Sequence, residues 1–222
     1  MNVTLSGPAE GHLKDLFTDA KEQDANWIIC AGDFGIWPDP ARRDRASKKH
    51  VTTEFAQRYV GAINEEIRIP VLTISGVHED HQFLAHRKSV NNTEILSNVH
   101  WLANGYRTVV GTHGPPMRVT GLGRAYSEAT YRGAYSKRSQ RHYTRHDIER
   151  ACSSGPTDLL VVYENLDAEG IRNMIFATRP QLILTVAHPN RPVYPEVQGI
   201  PVVTLERRTT RTIIWEEGKI IC

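Results

Sequence analysis

The strongest constraint on the fold of this 222-residue chain is a series of short apolar runs that each end in a polar, glycine-containing loop. Such runs have the length and composition of buried parallel strands. Patterns of helical period lie between the early runs, so the alternation predicts an α/β fold with mixed sheets. Predicted strands cover residues 2–6, 27–31, 71–74, 99–102, 108–111, 158–163, 181–186, 200–205 and 212–215. Predicted helices cover residues 13–20, 51–67, 144–155 and 168–178.

Composition and length indicate a single domain over residues 1–222. Hydrophobic residues make up 40% of the chain and charged residues 23%, which suffices for a core and excludes a disordered chain. No apolar run approaches the roughly 20 residues that span a bilayer, and the first residues lack a signal-peptide pattern. We therefore expect a soluble, cytoplasmic protein with no membrane partner. Three cysteines without CxxC spacing indicate reduced thiols.

Polar loops follow several of the predicted strands. The loops at 7–11, 32–35, 76–80 and 187–190 each come after an apolar run, and residues 163–165 follow another. Ligands of open α/β sheets bind at the carboxyl ends of strands, so these loops are expected to converge on one site. Each loop alone is more typical of a turn, because Gly and Asp are turn formers.

The order of these loops carries a family resemblance. They read Gly7-Pro8-Ala9-Glu10-Gly11, Gly32-Asp33, Gly76-Val77-His78-Glu79, Tyr163-Glu164 and Ala187-His188-Pro189-Asn190. The series resembles the calcineurin-like metallophosphoesterase family, whose motifs run D-x-H, GD, GNH(E/D), H and GHxH. Residues 120–127 and 141–144 are similar to a branch related to the RNA lariat-debranching enzymes. The resemblance spans essentially the whole chain and implies a four-layer α/β/β/α sandwich of two mixed β-sheets flanked by helices.

The same resemblance implies a metal-dependent phosphoric ester hydrolase. In such a centre two divalent ions clamp a phosphoryl group and activate a water molecule. Only Asp33 and His188 keep the family residue, so five of the seven ligand positions are substituted. Pro8 and Val77 have no side-chain donor. The seven positions fall on Pro8, Glu10, Asp33, Val77, Tyr163, His188 and Asn190.

We therefore expect at most one divalent ion, Mn, Mg or Fe, because carboxylate and amide oxygens still suit a hard cation. A two-metal centre is disfavoured, and a site without metal is the alternative. The expected ligands are Glu10, Asp33, His188 and Asn190.

The remaining site residues have roles of other kinds. His78 occupies the position of the family's catalytic histidine and is predicted to be the general acid, with Asp33 as the second catalytic residue. His78 is expected at a strand end, and His81 is expected to begin a helix. Tyr163 coordinates a metal only as a phenolate, far from its usual pKa near 10, so it is assigned to substrate binding.

A basic segment, residues 124–150, holds seven Lys or Arg against three acids, whereas the whole chain has a net charge of only +2. Four tyrosines are interspersed, and arginines with stackable rings suit phosphate-bearing ligands or single-stranded nucleic acid. Arg124 and Arg132 are the predicted phosphate contacts. The alternative is a solvated connection whose tyrosines pack against the sheet.

Three functions remain open from the sequence. The first is a phosphodiesterase or phosphatase that acts on a phosphate ester, a nucleotide or RNA through a reduced metal site. The second is a catalytically inactive family member that binds a phosphorylated ligand, nucleic acid or protein. In the third, Glu10 and His78 act as a metal-free acid and base pair.

Overall fold

Two mixed β-sheets form the centre of the fold, as the sequence predicts. The computed structural model describes residues 1–90, 93–111, 114–134, 139–189 and 192–222. The strands are β1 (Asn2–Ser6), β2 (Trp27–Cys30), β3 (Val71–Thr73), β4 (Glu94–Leu96), β5 (Val99–Trp101), β6 (Arg107–Val110), β7 (Met117–Leu122), β8 (Leu159–Val162), β9 (Leu182–Val186), β10 (Glu196–Val197), β11 (Ile200–Leu205), β12 (Thr210–Glu216) and β13 (Lys219–Ile221).

The two sheets are built alike. The first has seven strands in the order β13-β12-β1-β2-β3-β5-β4, and the second has six in the order β10-β11-β9-β8-β7-β6. Four consecutive strands are parallel in each sheet, β1-β2-β3-β5 and β7-β8-β9-β11. Antiparallel strands flank each parallel set. The carboxyl ends of each parallel set therefore lie at one end of its sheet.

Helices cover the outer faces of the sheets. The helices are α1 (Leu13–Glu22), α2 (Ser47–His50), α3 (Glu54–Tyr59), α4 (His81–Ser89), α5 (Glu128–Tyr131), α6 (Arg145–Ser153) and α7 (Ile171–Thr178). None of these helices, within the residues described, combines the length and the apolar character needed to cross a membrane.

Three apolar clusters fill the spaces between layers. One joins the inner faces of the two sheets, another packs β2, β3 and β5 against α1, α3 and α4, and the third packs β8 and β9 against α6 and α7. Successive side chains of a strand point to opposite faces of its sheet. In β2, Ile29 therefore faces the other sheet, while Ile28 and Cys30 face the helices. This arrangement confirms the predicted α/β/β/α sandwich.

The helix expected over residues 51–67 is much shorter than predicted. It is limited to α3, and the chain turns at Gly61, which has a φ of +77°. The amide of Gly61 donates to the carbonyl oxygen of Arg58, a turn that ends the helix early. Strand β7 was not among the predicted strands. The helix opening at Thr144 has the predicted cap, because Thr144 and Asp147 form a reciprocal capping box.

An ion pair between the exposed Arg118 and the buried Asp158 ties β7 to the start of β8. The Asp158 carboxylate accepts hydrogen bonds from the Arg118 amide at 2.8 Å and from the Arg118 guanidinium at 2.7 and 2.9 Å. Gln181 donates to the same carboxylate at 3.2 Å. Burial alone would raise the pKa of Asp158, but these hydrogen bonds and the Arg118 charge lower it below its ordinary value.

Asp158→Asn is therefore expected to lower the free energy of unfolding by about 1.5–3 kcal/mol at pH 7, the usual effect of losing hydrogen bonds to a charged group. A carboxyl group with a depressed folded-state pKa stabilises the fold above its unfolded-state pKa, and this contribution is lost as pH falls through the folded-state value. Urea unfolding at pH 7 and pH 3 measures the effect, which should shrink at pH 3. Glu149→Gln, in an exposed pair with Arg145, is the control and should change stability by about 0.5 kcal/mol or less.

Candidate functional site

The polar loops after β1, β2 and β3 meet through backbone hydrogen bonds. The amide of Glu10 donates to the Asp33 carbonyl oxygen at 2.7 Å, and the amide of Gly11 donates to the Phe34 carbonyl oxygen at 3.0 Å. The amide of His78 donates to Asp33 Oδ1 at 2.7 Å. Glu10, Asp33 and His78, which are separated widely in the sequence, therefore belong to one cluster.

Asp33 lies at the centre of this cluster. It has a left-handed φ of +42° and only 4% of its surface is exposed. Its second oxygen, Oδ2, accepts a hydrogen bond from the Tyr163 hydroxyl at 2.6 Å. Gly76 makes this arrangement possible, because a Cβ at that position would lie 2.1 Å from Asp33 Oδ1. Both carboxylate oxygens thus already have protein donors.

Tyr163 is held as a neutral phenol. Burial first, and the neighbouring Asp33 charge second, raise its pKa far above the ordinary value. Burial also raises the pKa of Asp33, opposed by the hydrogen bonds from Tyr163 and His78. A phenol that donates to a carboxylate has no free charge for a cation, so the phenolate ligand considered from the sequence does not fit this geometry.

Glu79 is a buried acid that the sequence reasoning missed. Its Oε1 accepts from the Phe34 amide at 2.7 Å, and its side chain is almost wholly enclosed. Burial, reinforced by the nearby Asp33, raises the pKa of Glu79 well above its ordinary value. The available signal was its position next to His78 in the third loop, where an acid also occurs in the family motif.

Glu10 is neutralised by two arginines from the turn between β11 and β12. Arg207 Nη1 lies 3.2 Å from Glu10 Oε1, and Arg208 Nη2 lies 3.2 Å from Oε2. The carboxylate is buried, while both arginine side chains are about half exposed. The amide of Arg208 also donates to the Pro8 carbonyl oxygen at 2.9 Å, which fixes the turn against the first loop. The sequence reasoning did not identify either arginine.

His188 turns toward the protein interior. Its Nε2 lies 2.8 Å from the Tyr163 carbonyl oxygen, and its ring meets the Tyr163 ring edge-on at 5.4 Å. One ring nitrogen of His188 therefore contacts a carbonyl oxygen of the protein and not a cation. Asn190, the remaining expected ligand, lies outside the described residues.

These contacts do not fit a resident divalent ion. Glu10 is paired with arginines, Asp33 accepts from two protein donors, and His188 is directed at a carbonyl group. Among the described residues, no group of three His, Cys, Asp or Glu side chains has an arrangement that could hold a metal. Protein donors thus satisfy the carboxylates that a cation would otherwise bind.

A second polar group adjoins this cluster at His78. Its Nδ1 lies 3.6 Å from Asp44 Oδ2, and the same oxygen is 2.8 Å from Arg141 Nη2. Burial would raise the pKa of Asp44, but hydrogen bonds from Ser47 and the charges of Arg141 and His78 lower it. His78 is thus partly exposed beside a carboxylate that sequence reasoning did not identify.

His81, the first residue of α4, lies against this second group. Burial first, and the nearby positive charge of Arg124 second, lower the pKa of His81 to about 3. His81 is therefore an uncharged imidazole at neutral pH. The start of α4 at His81 matches the sequence expectation that His78 follows a strand and His81 begins a helix.

The described residues of the basic segment include three packed tyrosines and a surface arginine. Tyr126, Tyr131 and Tyr143 pack on one another with ring centroids 5.7 to 6.2 Å apart and join the core beneath α6 and α7. Arg132 forms an exposed ion pair with Glu128, and none of its described contacts is with Asp33 or His78. The alternative of packed tyrosines therefore holds for these three rings. Tyr135, Lys137 and Arg138 lie outside the described residues.

Comparisons with solved structures show the fold. TT1561 of Thermus thermophilus has a TM-score of 0.59 at 12% identity, covering 95% of this chain and 97% of that one. Another crystal structure has a TM-score of 0.59 at 14% identity, covering 93% and 90%. GAP50, the anchor in the inner membrane complex of Plasmodium, has a TM-score of 0.51 at 11% identity, covering 92% and 70%. No protein-family model and no curated protein matches the sequence.

Replacing Glu79 tests the buried acid. A carboxyl group with a raised folded-state pKa contributes most stability below its unfolded-state pKa, and the contribution is lost as pH rises through the folded-state value. The free energy of unfolding of Glu79→Gln, relative to that of the wild type, should therefore rise between pH 4 and pH 8. The expected rise is about 1.4 kcal/mol for each unit by which the folded-state pKa of Glu79 exceeds its unfolded-state pKa. Urea unfolding measured across this range tests it. A parallel pH dependence in both proteins would contradict it, and the exposed Glu206→Gln is the control.

Proposed function

We propose that this chain is a calcineurin-like phosphoesterase-family protein that binds a phosphate-bearing ligand without a resident metal. One observation carries the proposal: Arg207 and Arg208 neutralise Glu10, one of the expected metal ligands. The family assignment rests on the order of the loop motifs and is supported by the shared fold. Arginine side chains in place of a metal ion keep positive charge at the site, but they cannot act as the Lewis acid that activates water.

The accessibility of the charged groups supports binding at the edge of the cluster. The acids Glu10, Asp33 and Glu79 are enclosed, whereas the basic side chains around them are partly exposed to solvent. We call these outer side chains the basic rim. Guanidinium groups hold phosphate oxygens through paired, charge-assisted hydrogen bonds. The basic rim consists of His78, Arg124, Arg141, Arg207 and Arg208.

The preferred ligand is a small phosphate ester or nucleotide. A single-stranded nucleic acid needs exposed rings on which bases stack. Tyr126, Tyr131 and Tyr143 instead contact one another and the core. The basic segment therefore supports recognition of phosphate charge, while its described tyrosines give no support to an RNA-binding surface.

Metal-free hydrolysis is the second candidate, because Asp44 lies close to His78. His78 Nδ1 lies 3.6 Å from Asp44 Oδ2, and an imidazole held beside a carboxylate can serve as the general acid that gives a proton to a leaving oxygen. Glu10 is a poor base in this scheme, since both of its oxygens face arginines. Of the acid and base pair considered from the sequence, Glu10 and His78, only His78 keeps a role in proton transfer.

Phosphate binding is tested by calorimetric titration with adenosine monophosphate in metal-free buffer containing a chelator. Arg141→Gln should weaken binding on the order of tenfold, the loss of a charge-assisted contact. Arg145→Gln is the matched control, because this arginine belongs to the same basic segment but pairs with Glu149 on the surface. Equal affinities of the two variants, or no binding by the wild type at low salt, would contradict the proposal.

Metal content is tested separately. Elemental analysis of the purified protein should find less than about 0.1 Mn, Mg or Fe per chain, since the expected ligands that the structure describes, Glu10, Asp33 and His188, are engaged by protein groups. Added Mn should not produce hydrolysis of bis(p-nitrophenyl) phosphate. Stoichiometric metal together with hydrolysis that His78→Ala abolishes would instead establish the metal-dependent enzyme. Slow hydrolysis in chelator that requires His78 would favour the second candidate.

A further inference from the structure

Strand β6 is the last strand of the second sheet, and β7 lies on one side of it. The amide of Gly121 in β7 donates to the Tyr106 carbonyl oxygen at 3.2 Å, directly before β6 begins. Hydrogen-bonded pairs alternate along an antiparallel ladder, so every second residue from Tyr106 onward faces β7. Arg107 and Val109 therefore direct their amides and carbonyl groups to the outer edge of the sheet.

The contacts of β7 support this alternation independently. Arg118 lies opposite Val109, and its carbonyl oxygen accepts from the Asp158 amide at 2.9 Å. Its own amide donates to the Asp158 carboxylate at 2.8 Å. The main-chain groups of Arg118 thus point away from β6, so those of Val109 point away from β7. Within the part of the chain that the structure describes, no strand lies beside that edge of β6.

Strand β6 lacks most of the features that protect sheet edges, which are short length, irregular register, proline and central charges. The other described edge strands have them: β10 has two residues, β4 has a register shift, and β13 begins with Lys219. In contrast, β6 has four residues and continues from Arg107 into three β-branched residues, of which Val109 is 57% exposed. An edge of this kind favours pairing with another strand.

A cavity of about 430 Å³ lies beside β6 and provides space for the side chains of such a strand. All four residues of β6 line it. Its apolar lining includes Leu72, Leu102 and Val110, which belong to the cluster between the sheets. Among the described residues the first sheet has seven strands and the second has six. Side chains that point toward the first sheet from a strand added to β6 would therefore enter this cavity.

The charges beside β6 are positive. Lys88 and Arg107 line the cavity, and none of its described lining residues is an Asp or a Glu. Lys88 and Arg150 also contact the Tyr106 ring, at 5.0 and 4.7 Å from its centre. Arg107 is exposed on the outer face of β6, because alternation places it opposite to the buried Val110. Opposite charges on neighbouring strands attract, so an acidic side chain fits beside Arg107.

We propose that β6 binds an extended acidic segment of another protein as an added strand. The main chain of the segment forms hydrogen bonds with the amides and carbonyl groups of Arg107 and Val109. Its alternate apolar side chains enter the cavity, and the acidic side chains between them face Arg107. No residue of the basic rim lines this cavity, so the proposal does not depend on the phosphate-binding function proposed above.

Hydrogen exchange of individual amides provides the first test, with the peptide acetyl-Glu-Val-Thr-Val-Glu-amide as the probe. In the full chain the amides of Arg107 and Val109 should exchange rapidly with D₂O, and saturating peptide should slow both at least about tenfold. The amide of Thr108, which faces β7, should already exchange slowly and should change little. The same peptide N-methylated at its three central residues lacks these donors and should bind at least about fivefold more weakly.

Variants of β6 separate the main-chain contribution from the charge. Val109→Pro removes one edge donor at a position where an edge strand tolerates proline, and it should weaken peptide binding on the order of tenfold. Val109→Thr keeps the amide and the β-branch and should bind as the wild type does. Arg107→Gln should weaken binding on the order of threefold. Its control is Arg211→Gln, an exposed arginine in β12, which has strands on both sides.

Three results would overturn the proposal: unchanged exchange of both amides at saturating peptide, equal binding of the N-methylated peptide, or equal binding of acetyl-Lys-Val-Thr-Val-Lys-amide. The N-methylated peptide and Arg107→Gln keep the test decisive even if Val109→Pro does not fold. A second copy of the chain is the competing occupant. A concentration-dependent dimer in sedimentation that Val109→Pro abolishes would assign β6 to self-association and would also overturn the proposal.

Discussion

The carboxylate of Asp33 links parts of the chain that belong to different sheets. Asp33 follows β2 and accepts from His78, which follows β3, so one oxygen joins two loops of the first sheet. The other oxygen accepts from Tyr163, which follows β8 of the second sheet. A buried carboxylate is tolerated only where donors satisfy it, and these two donors fix how the loops of both sheets meet. Gly76 is required beside it because no side chain fits there.

The enclosed acids of this cluster and the acid paired with half-exposed arginines are accommodated in different ways. Inside, burial raises the pKa values of Glu79 and Asp33, which lowers the cost of enclosing several acids together. Nearer the surface, Glu10 is balanced by arginines that remain half exposed. Guanidinium groups with solvent access can exchange part of their contact with a carboxylate for contact with an incoming anion. The same arginines can therefore stabilise the fold and take part in recognition.

The central strands could be predicted from sequence because they are continuous apolar runs, such as Leu159–Val162, whose burial needs no knowledge of partners. The arrangement of two sheets in a sandwich was implied by the family resemblance and not by these runs. Strand β7 escaped prediction because Arg118 and Gly121 interrupt its apolar pattern, and each has a reason that appears only in three dimensions. Arg118 pairs with Asp158, and a Cβ at Gly121 would collide with Ile74 of the first sheet. Asp33 and His78 were placed by motif order, but the partners Glu79, Asp44 and Arg208 were not, since their roles arise from contacts between distant segments.

The pairing of β1 with β12 also has a consequence for the order in which the molecule forms. Residues 2–6 lie against residues 210–214, and Glu10 and Arg208 are separated by 198 positions. Contacts of such long range close late, because a large loop must first be ordered. During synthesis one edge of β1 therefore stays unpaired until β12 emerges, and Glu10 stays without its arginines until residues 207 and 208 have been added. The charged cluster cannot be complete before that point.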